Sequence, residues 1–276
     1  MIRIESLSFA YGRKRIIRNL DLDLRSGETV MITGPNAAGK STLLRLMAGV
    51  LKPSEGRIDY GFPEGTDPRS RIAFLPDSLS FYGSMTPNEV AGFHAGFFGT
   101  EPSGLQVARR AGVDLNRRIE DLSLGQKVIV QLSIVLSTDP DIVLIDEVLH
   151  AVDPYLRGLM FQELIGVMEE RDPTVVMINL NFSEVENLVD RVIFMGRDGV
   201  RLDERVDDLK AHARLLESGL EPVDAEVLLA REVLGRKQFV LYPCSGNDGV
   251  TTVGSRAMDL TEILTAFMEA EYDDRS

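Results

Sequence analysis

Thr29-Val30-Met31-Ile32-Thr33-Gly34-Pro35-Asn36-Ala37-Ala38-Gly39-Lys40-Ser41-Thr42 is a short apolar run that passes through a glycine-bounded loop into a helical stretch over residues 41–48. Strand, loop and helix in that order are the setting in which residues 34–42 match a phosphate-cradling P-loop. Successive backbone N–H groups of such a loop wrap an anion, and the helix N-terminus adds the positive end of its dipole. Lys40 is expected to reach the β- and γ-phosphates of a nucleotide, and Ser41 to offer its hydroxyl to Mg²⁺. Gly34, Pro35, Asn36, Ala37, Ala38, Gly39, Lys40, Ser41 and Thr42 are therefore candidate nucleotide-binding residues.

Working outward from the loop, residues 2–9 and 20–24 alternate apolar and polar and end at turn residues, which predicts strands of a small antiparallel layer. A strand is expected over residues 71–75, then a helical stretch over 81–99 interrupted by Gly92, Gly96 and Gly99. Val128, Leu132, Val135 and Leu136 recur at helical spacing within 124–136. Residues 141–145, 175–180 and 191–195 each contain a continuous apolar run, and helices separate them, the pattern of strands buried on both faces of a parallel sheet. The fold expected is α/β: a P-loop NTPase with a parallel core sheet, an antiparallel N-terminal β layer, a helical arm over about residues 80–138, and a small α+β C-terminal appendage. The boundary falls where composition shifts, giving residues 1–200 as the main domain and 201–276 as the appendage, with a strand at 238–242, a glycine loop around Gly246 and Gly249, and an amphipathic stretch at 260–267.

Residues 141–147, DIVLIDE, carry four apolar positions into two adjacent carboxylates at the C-terminal end of a sheet strand, where ligands bind in open α/β folds. Asp146 is suited to holding Mg²⁺ through water, and Glu147 to orienting or polarising an attacking water.

Composition limits the function classes. The 276 residues are 44% hydrophobic and 26% charged, enough for one substantial core and a minor second unit. A net charge of −13 argues against a nucleic-acid binder held by a broad phosphate-contacting face. Cys244 is the only cysteine, so no intrachain disulfide is possible and a reducing cytoplasmic setting is expected. The N-terminus reaches Arg3 and Glu5 without the apolar core of a signal peptide. No apolar run approaches the roughly 20 residues of a membrane-spanning helix, so any membrane role requires a partner that spans.

Between the P-loop and DIVLIDE lies Leu122-Ser123-Leu124-Gly125-Gln126, and with it the sequence resembles the ATP-binding subunits of ABC transporters over about its first 200 residues. In that family the segment caps the γ-phosphate of ATP held on the other subunit's P-loop. The resemblance implies that Ser123, Gly125 and Gln126 contact ATP across a sandwich dimer, that Tyr11 stacks on adenine, and that Asp153 belongs to the loop crossing the dimer interface. It also implies ATP and Mg²⁺ as cofactors, and a transmembrane permease subunit as partner. The dimer would be a homodimer or a heterodimer with a second ABC ATPase, without nucleic acid, peripheral on the inner face of the cell membrane.

Three positions depart from the family pattern. Ala37 stands where glycine is usual, and a left-handed backbone there would cost roughly 1–2 kcal/mol. Asp77 stands where a glutamine usually touches Mg²⁺ and the attacking water; its carboxylate is a competent hard-ion ligand, so it joins Lys40 and Glu147 as a catalytic candidate and Ser41 and Asp146 as a metal candidate. Leu180 stands where a histidine usually bonds the γ-phosphate, and it has no donor, nor are Asn179 and Asn181 placed to substitute, since alternate strand residues point to opposite faces. Loss of one transition-state donor is typically worth about 10²–10³ in rate, so slow hydrolysis is expected.

Residues 81–90, FYGSMTPNEV, resemble a stretch common in ATPases of drug and polysaccharide exporters, and the C-terminal sequence resembles the ending of that branch, which makes an exporter the expected setting. The Phe- and Gly-rich segment 93–99 is a candidate socket for the membrane partner. Two other functions compete: a regulatory ATP-switch module with little turnover, and a stand-alone ABC ATPase acting outside transport.

Overall fold

The computed structural model describes residues 1–77, 82–98, 105–147, 152–178, 182–218, 222, 226–243 and 254–273. Leu180 with its two flanking asparagines, and Cys244, lie outside the described residues. The chain divides into two compact units, residues 1–30 with 39–179 and residues 31–38 with 180–276.

In the first unit, β1 (Ile2–Tyr11) and β2 (Lys14–Leu24) pair antiparallel, with Ile2 opposite Leu24 and Ile4 opposite Leu22. Alternation sends Ile2, Ile4, Leu7 and Phe9 of β1 and Leu20, Leu22 and Leu24 of β2 into the core, as a sheet with one wet face requires. The register slips between Ile4 and Leu7, where Ser6 takes φ +46° and its N–H donates to Asp21 Oδ1 at 2.7 Å. β3 (Thr29–Thr33), whose last three residues belong with the loop to the second unit, is buried at all five residues and leads through the glycine loop into α1 (Lys40–Met47). β4 (Glu55–Asp59) then pairs with the other side of β1, giving a three-stranded layer in the order β2-β1-β4.

β5 (Ile72–Leu75) is followed by α2 (Pro87–Phe98), α3 (Gln106–Arg110) and α4 (Leu124–Leu136). β6 (Ile142–Asp146), α5 (Pro154–Arg171) and β7 (Thr174–Ile178) complete the unit. β6 is parallel to both β5 and β7, with Leu75 opposite Ile145 and Ile145 opposite Met177. Every residue of β6 and β7 is buried, which is why these strands read as unbroken apolar runs. The six-stranded central sheet has the order β5-β6-β7-β3-β8-β9, where β8 is Arg191–Gly196 and β9 is Gly199–Arg205. Its last pair, β8 with β9, is antiparallel, so the sheet is mixed.

The second unit also holds α6 (Phe182–Val185), α7 (Val206–His212), a four-stranded antiparallel sheet and a C-terminal helix. The sheet joins β10 (Arg214–Glu217), β11 (Val227–Val233), β12 (Arg236–Leu241) and β13 (Ser255–Ala257) in the order β11-β12-β10-β13. α8 (Leu260–Asp273) buries Leu260, Ile263, Leu264 and Phe267. The helical spacing of these apolar residues is the amphipathic pattern of the C-terminal sequence. Among the described residues, no helix is long and apolar enough to cross a membrane.

Candidate functional site

The loop ahead of α1 is shaped by backbone conformations that ordinary residues avoid. Gly34 takes φ +132°, and a Cβ there would lie 2.0 Å from the carbonyl oxygen of Met195. Gly39, the residue before α1, is left-handed at φ +98° and its carbonyl accepts the Leu43 N–H at 2.8 Å, opening the helix. Between them the Ala38 N–H turns back to the Pro35 carbonyl at 3.3 Å. Ala37 sits at φ +68°, so the strain that its methyl group implies is present in the fold.

α1 presents Lys40 and Ser41 in its first turn, next to the C-terminal end of β6. The Ser41 hydroxyl donates to Asp146 Oδ1 at 2.9 Å. Asp146 is wholly buried, and among the described residues its Oδ2 has no hydrogen-bond partner. Burial pushes its carboxyl above the usual carboxylate range; Ser41 opposes that shift, and the Asp77 charge adds to it. Lys40 is also buried, and desolvation lowers its ammonium pKa against the pull of Glu147 and Asp146. Glu147 follows Asp146 at φ +27°, a strained conformation of the sort that gathers at functional sites.

An orphaned buried carboxylate oxygen beside a serine hydroxyl fits Mg²⁺, a hard cation that takes oxygen ligands and keeps several positions for water and phosphate. Among the described residues, no three His, Cys, Asp or Glu side chains converge as a metal site. A cation at Ser41 and Asp146 would thus draw its remaining ligands from elsewhere, as Mg²⁺ in nucleotide sites does.

Asp77, two residues past the end of β5, accepts from Arg45 Nη2 at 2.9 Å. Arg45 lies four residues after Ser41 on α1, one turn along the same face. The Asp77 contacts raise the Arg45 guanidinium pKa against desolvation, with Tyr11 as a further hydrogen-bonding neighbour. Tyr11 itself is at the end of β1, half exposed, its ring edge-on to Phe9 at 4.9 Å. Lys40, Ser41, Asp146 and Glu147 therefore come together around α1, and Tyr11 and Asp77 are joined to them by a residue that sequence reasoning passed over. The available signal was the spacing of Ser41 and Arg45.

Ser123, Gly125, Gln126 and Asp153 form a second group at the N-termini of α4 and α5. Ser123 Oγ accepts the Gln126 N–H at 3.2 Å, and Gln126 Oε1 accepts the Ser123 N–H at 3.0 Å, a reciprocal capping box. Asp153 caps α5 by accepting from the N–H groups of Tyr155 and Leu156 at 3.1 Å. A Cβ on Gly125 would meet Leu156 Cδ1 at 2.9 Å, so α4 and α5 approach closely there and a larger residue would have to displace the Leu156 side chain.

The stretch that resembles exporter ATPases has a local explanation. Thr86 and Glu89 form another capping box at the start of α2: Glu89 Oε2 accepts the Thr86 N–H at 2.8 Å, and Thr86 Oγ1 accepts the Glu89 N–H at 3.3 Å. T-x-x-E is a helix-start signal that any helix can use, so it carries no information on transport direction. Farther along α2, Phe93 and Phe97 are 65% and 79% exposed; they are surface, not the arm's own core.

The ABC transporter family model matches residues 17–150. The high-affinity zinc uptake system ATP-binding protein ZnuC of Bacillus subtilis is 30% identical over 211 residues, covering 71% of this chain and 91% of that protein. The aliphatic sulfonates import ATP-binding protein SsuB 1 of Rhizobium johnstonii is 32% identical over 209 residues, covering 73% of this chain and 76% of that protein. A dimeric post-hydrolysis structure of the ATP-binding cassette MJ0796 bound to ADP and Pi matches at a TM-score of 0.65 and 24% identity, over 74% of this chain and 98% of that one. Both relatives are named for uptake, and the expectation of an exporter finds no support. With the P-loop fold, the Ser41–Asp146 pair and a 30% identical relative covered over 91% of its length, the chain belongs to the ATP-binding proteins of the ABC transporter family.

Proposed function

We propose that the chain is an ATP-hydrolysing subunit that dimerises around two Mg–ATP and drives a separate membrane permease, with intrinsically slow turnover. The observation that carries the proposal is the Ser41–Asp146 hydrogen bond beside a buried Lys40, with Asp146 Oδ2 unpartnered among the described residues. Residues 34–39 would wrap the phosphates with backbone N–H groups, Lys40 would balance the β- and γ-phosphate charge, and Ser41 and Asp146 would hold Mg²⁺. When bound, Mg²⁺ supplies Lewis-acid stabilisation of charge on the transferring phosphoryl group. Glu147 would orient the attacking water, and Tyr11 would stack on the base. Ser123, Gly125, Gln126 and Asp153 would act on the ATP of the opposite subunit; the capped N-terminus of α4 offers a dipole end suited to an anion.

Residues 1–200 would form the cassette and 201–276 an appended unit. The exposed Phe93 and Phe97 on α2 favour this surface as the permease contact. Attachment to the membrane would run through that partner. Slow turnover rests on Leu180, which has no donor for the γ-phosphate. Steady-state ATP hydrolysis by the purified chain tests it: Leu180→His is expected to raise the rate, by up to about 10²-fold, and Glu147→Gln to abolish it. Fast turnover by the wild-type chain, unchanged in Leu180→His, contradicts slow hydrolysis.

A further inference from the structure

β5 and β6 are parallel neighbours with Leu75 opposite Ile145, so two carboxylates emerge at adjacent strand ends. Asp146 terminates β6 and takes the Ser41 hydroxyl; Asp77 lies two residues beyond β5 and takes Arg45 Nη2. Ser41 and Arg45 are one turn apart on α1. A single helix face therefore holds both carboxylates, one through a neutral hydroxyl and the other through a cation. The two partners differ in what a divalent cation would do to them. A serine hydroxyl can keep its contact with Asp146 while its lone pairs bind a metal. A guanidinium has no lone pair to offer and cannot share the carboxylate oxygen it holds without bringing a second positive charge beside the metal.

We propose that Arg45 is a positioning residue that competes with Mg²⁺ for the Asp77 carboxylate, so that the Arg45–Asp77 ion pair must open for Asp77 to serve the nucleotide-bound metal. The inference rests on the ATP-site assignment above and deepens it. Arg45 and Asp77 are about one-third and two-fifths exposed at the side chain, 32% and 44%, so the pair is a modest restraint that solvent screens. Exposed ion pairs contribute up to about 1 kcal/mol, equivalent to a shift of about two- to fivefold in the metal concentration needed.

The test is a calorimetric titration of ATP into the full chain across a series of Mg²⁺ concentrations, for wild type, Arg45→Gln, Asp77→Asn and the double variant, with Arg45→Lys as a charge-retaining control. Arg45→Gln is expected to lower the Mg²⁺ concentration for half-maximal ATP affinity by about two- to fivefold, and affinity measured with EDTA is expected not to move. Asp77→Asn is expected to remove the effect, so that the double variant titrates like Asp77→Asn alone. Arg45→Lys, which keeps a cation without the planar fork, falls between wild type and Arg45→Gln. An unchanged Mg²⁺ midpoint in Arg45→Gln, or an equal shift with Asp77 already replaced, overturns the proposal. If Arg45→Gln does not fold, the Arg45→Lys shift decides by the same criterion. Failure of the wild-type chain to bind ATP at all overturns the site assignment and this inference together, whereas Mg²⁺-dependent binding with an unmoved midpoint overturns this inference alone.

Discussion

At Ala37 the backbone stands at φ +68°, in a region where an L-residue pays for its Cβ. Replacing it with glycine removes about 1–2 kcal/mol of strain, while the greater freedom of glycine in the unfolded chain returns about 0.5–1 kcal/mol. Ala37→Gly is therefore expected to stabilise the nucleotide-free protein by up to about 1.5 kcal/mol in a denaturant melt. A destabilised variant would mean that the loop is not held left-handed. Asp146 offers a prediction with a pH sign. Its folded-state pKa is raised by burial above the ordinary aspartate range, so the folded form carries a penalty that is full above the folded pKa. The penalty disappears as the pH falls below the unfolded value. Asp146→Asn should then be more stable than wild type at pH 7 in the absence of nucleotide, and the gain should shrink as the pH falls into the range where the wild-type carboxyl is protonated in both states. A gain that holds constant with pH would remove the buried charge from the explanation. Lys40, Ser41, Asp146 and Glu147 were legible in the sequence because each lies in a contiguous motif whose geometry is local. Arg45 was not: its role depends on the β5–β6 register that delivers Asp77 to α1, a relation between segments far apart in the chain.

Elements repeat the same logic in their caps. Thr86 with Glu89, Ser123 with Gln126, and Asp259 with Glu262 each satisfy two backbone N–H groups reciprocally at the start of α2, α4 and α8. Ser123→Ala should cost about 1 kcal/mol of stability through the lost cap. ATP affinity of the isolated monomer should stay at the wild-type value, because the proposed role of Ser123 is toward the other subunit's nucleotide. A large loss of monomer affinity in calorimetry would contradict that division of labour. β3, β6 and β7 are buried along their whole length and so announce themselves as apolar runs. β4, by contrast, has only Ile58 shielded even in part, and its EGRID sequence has no apolar alternation to announce a strand. β10 and β11 escaped notice for a related reason, since these short, partly exposed strands are specified by their partner β12 more than by their own alternation.

Taken whole, the molecule carries a charge of −13 and no described helix able to cross a membrane. Family membership supplies the chemistry of ATP, and the departures at Asp77 and Leu180 are proposed to set its pace. Asp77 and Leu180 are proposed to act where metal or phosphate would bind, so closure of a dimer would survive while turnover slows. Glu147→Gln is the variant that separates the two, since it removes the group proposed to orient water and leaves Lys40, Ser41 and Asp146 in place. Sedimentation equilibrium of Glu147→Gln with Mg²⁺ and ATP is predicted to give twice the 30.6 kDa chain mass, reverting to one chain mass with ADP or after Lys40→Ala. A single-chain mass under saturating Mg²⁺–ATP would contradict the sandwich dimer on which the account rests.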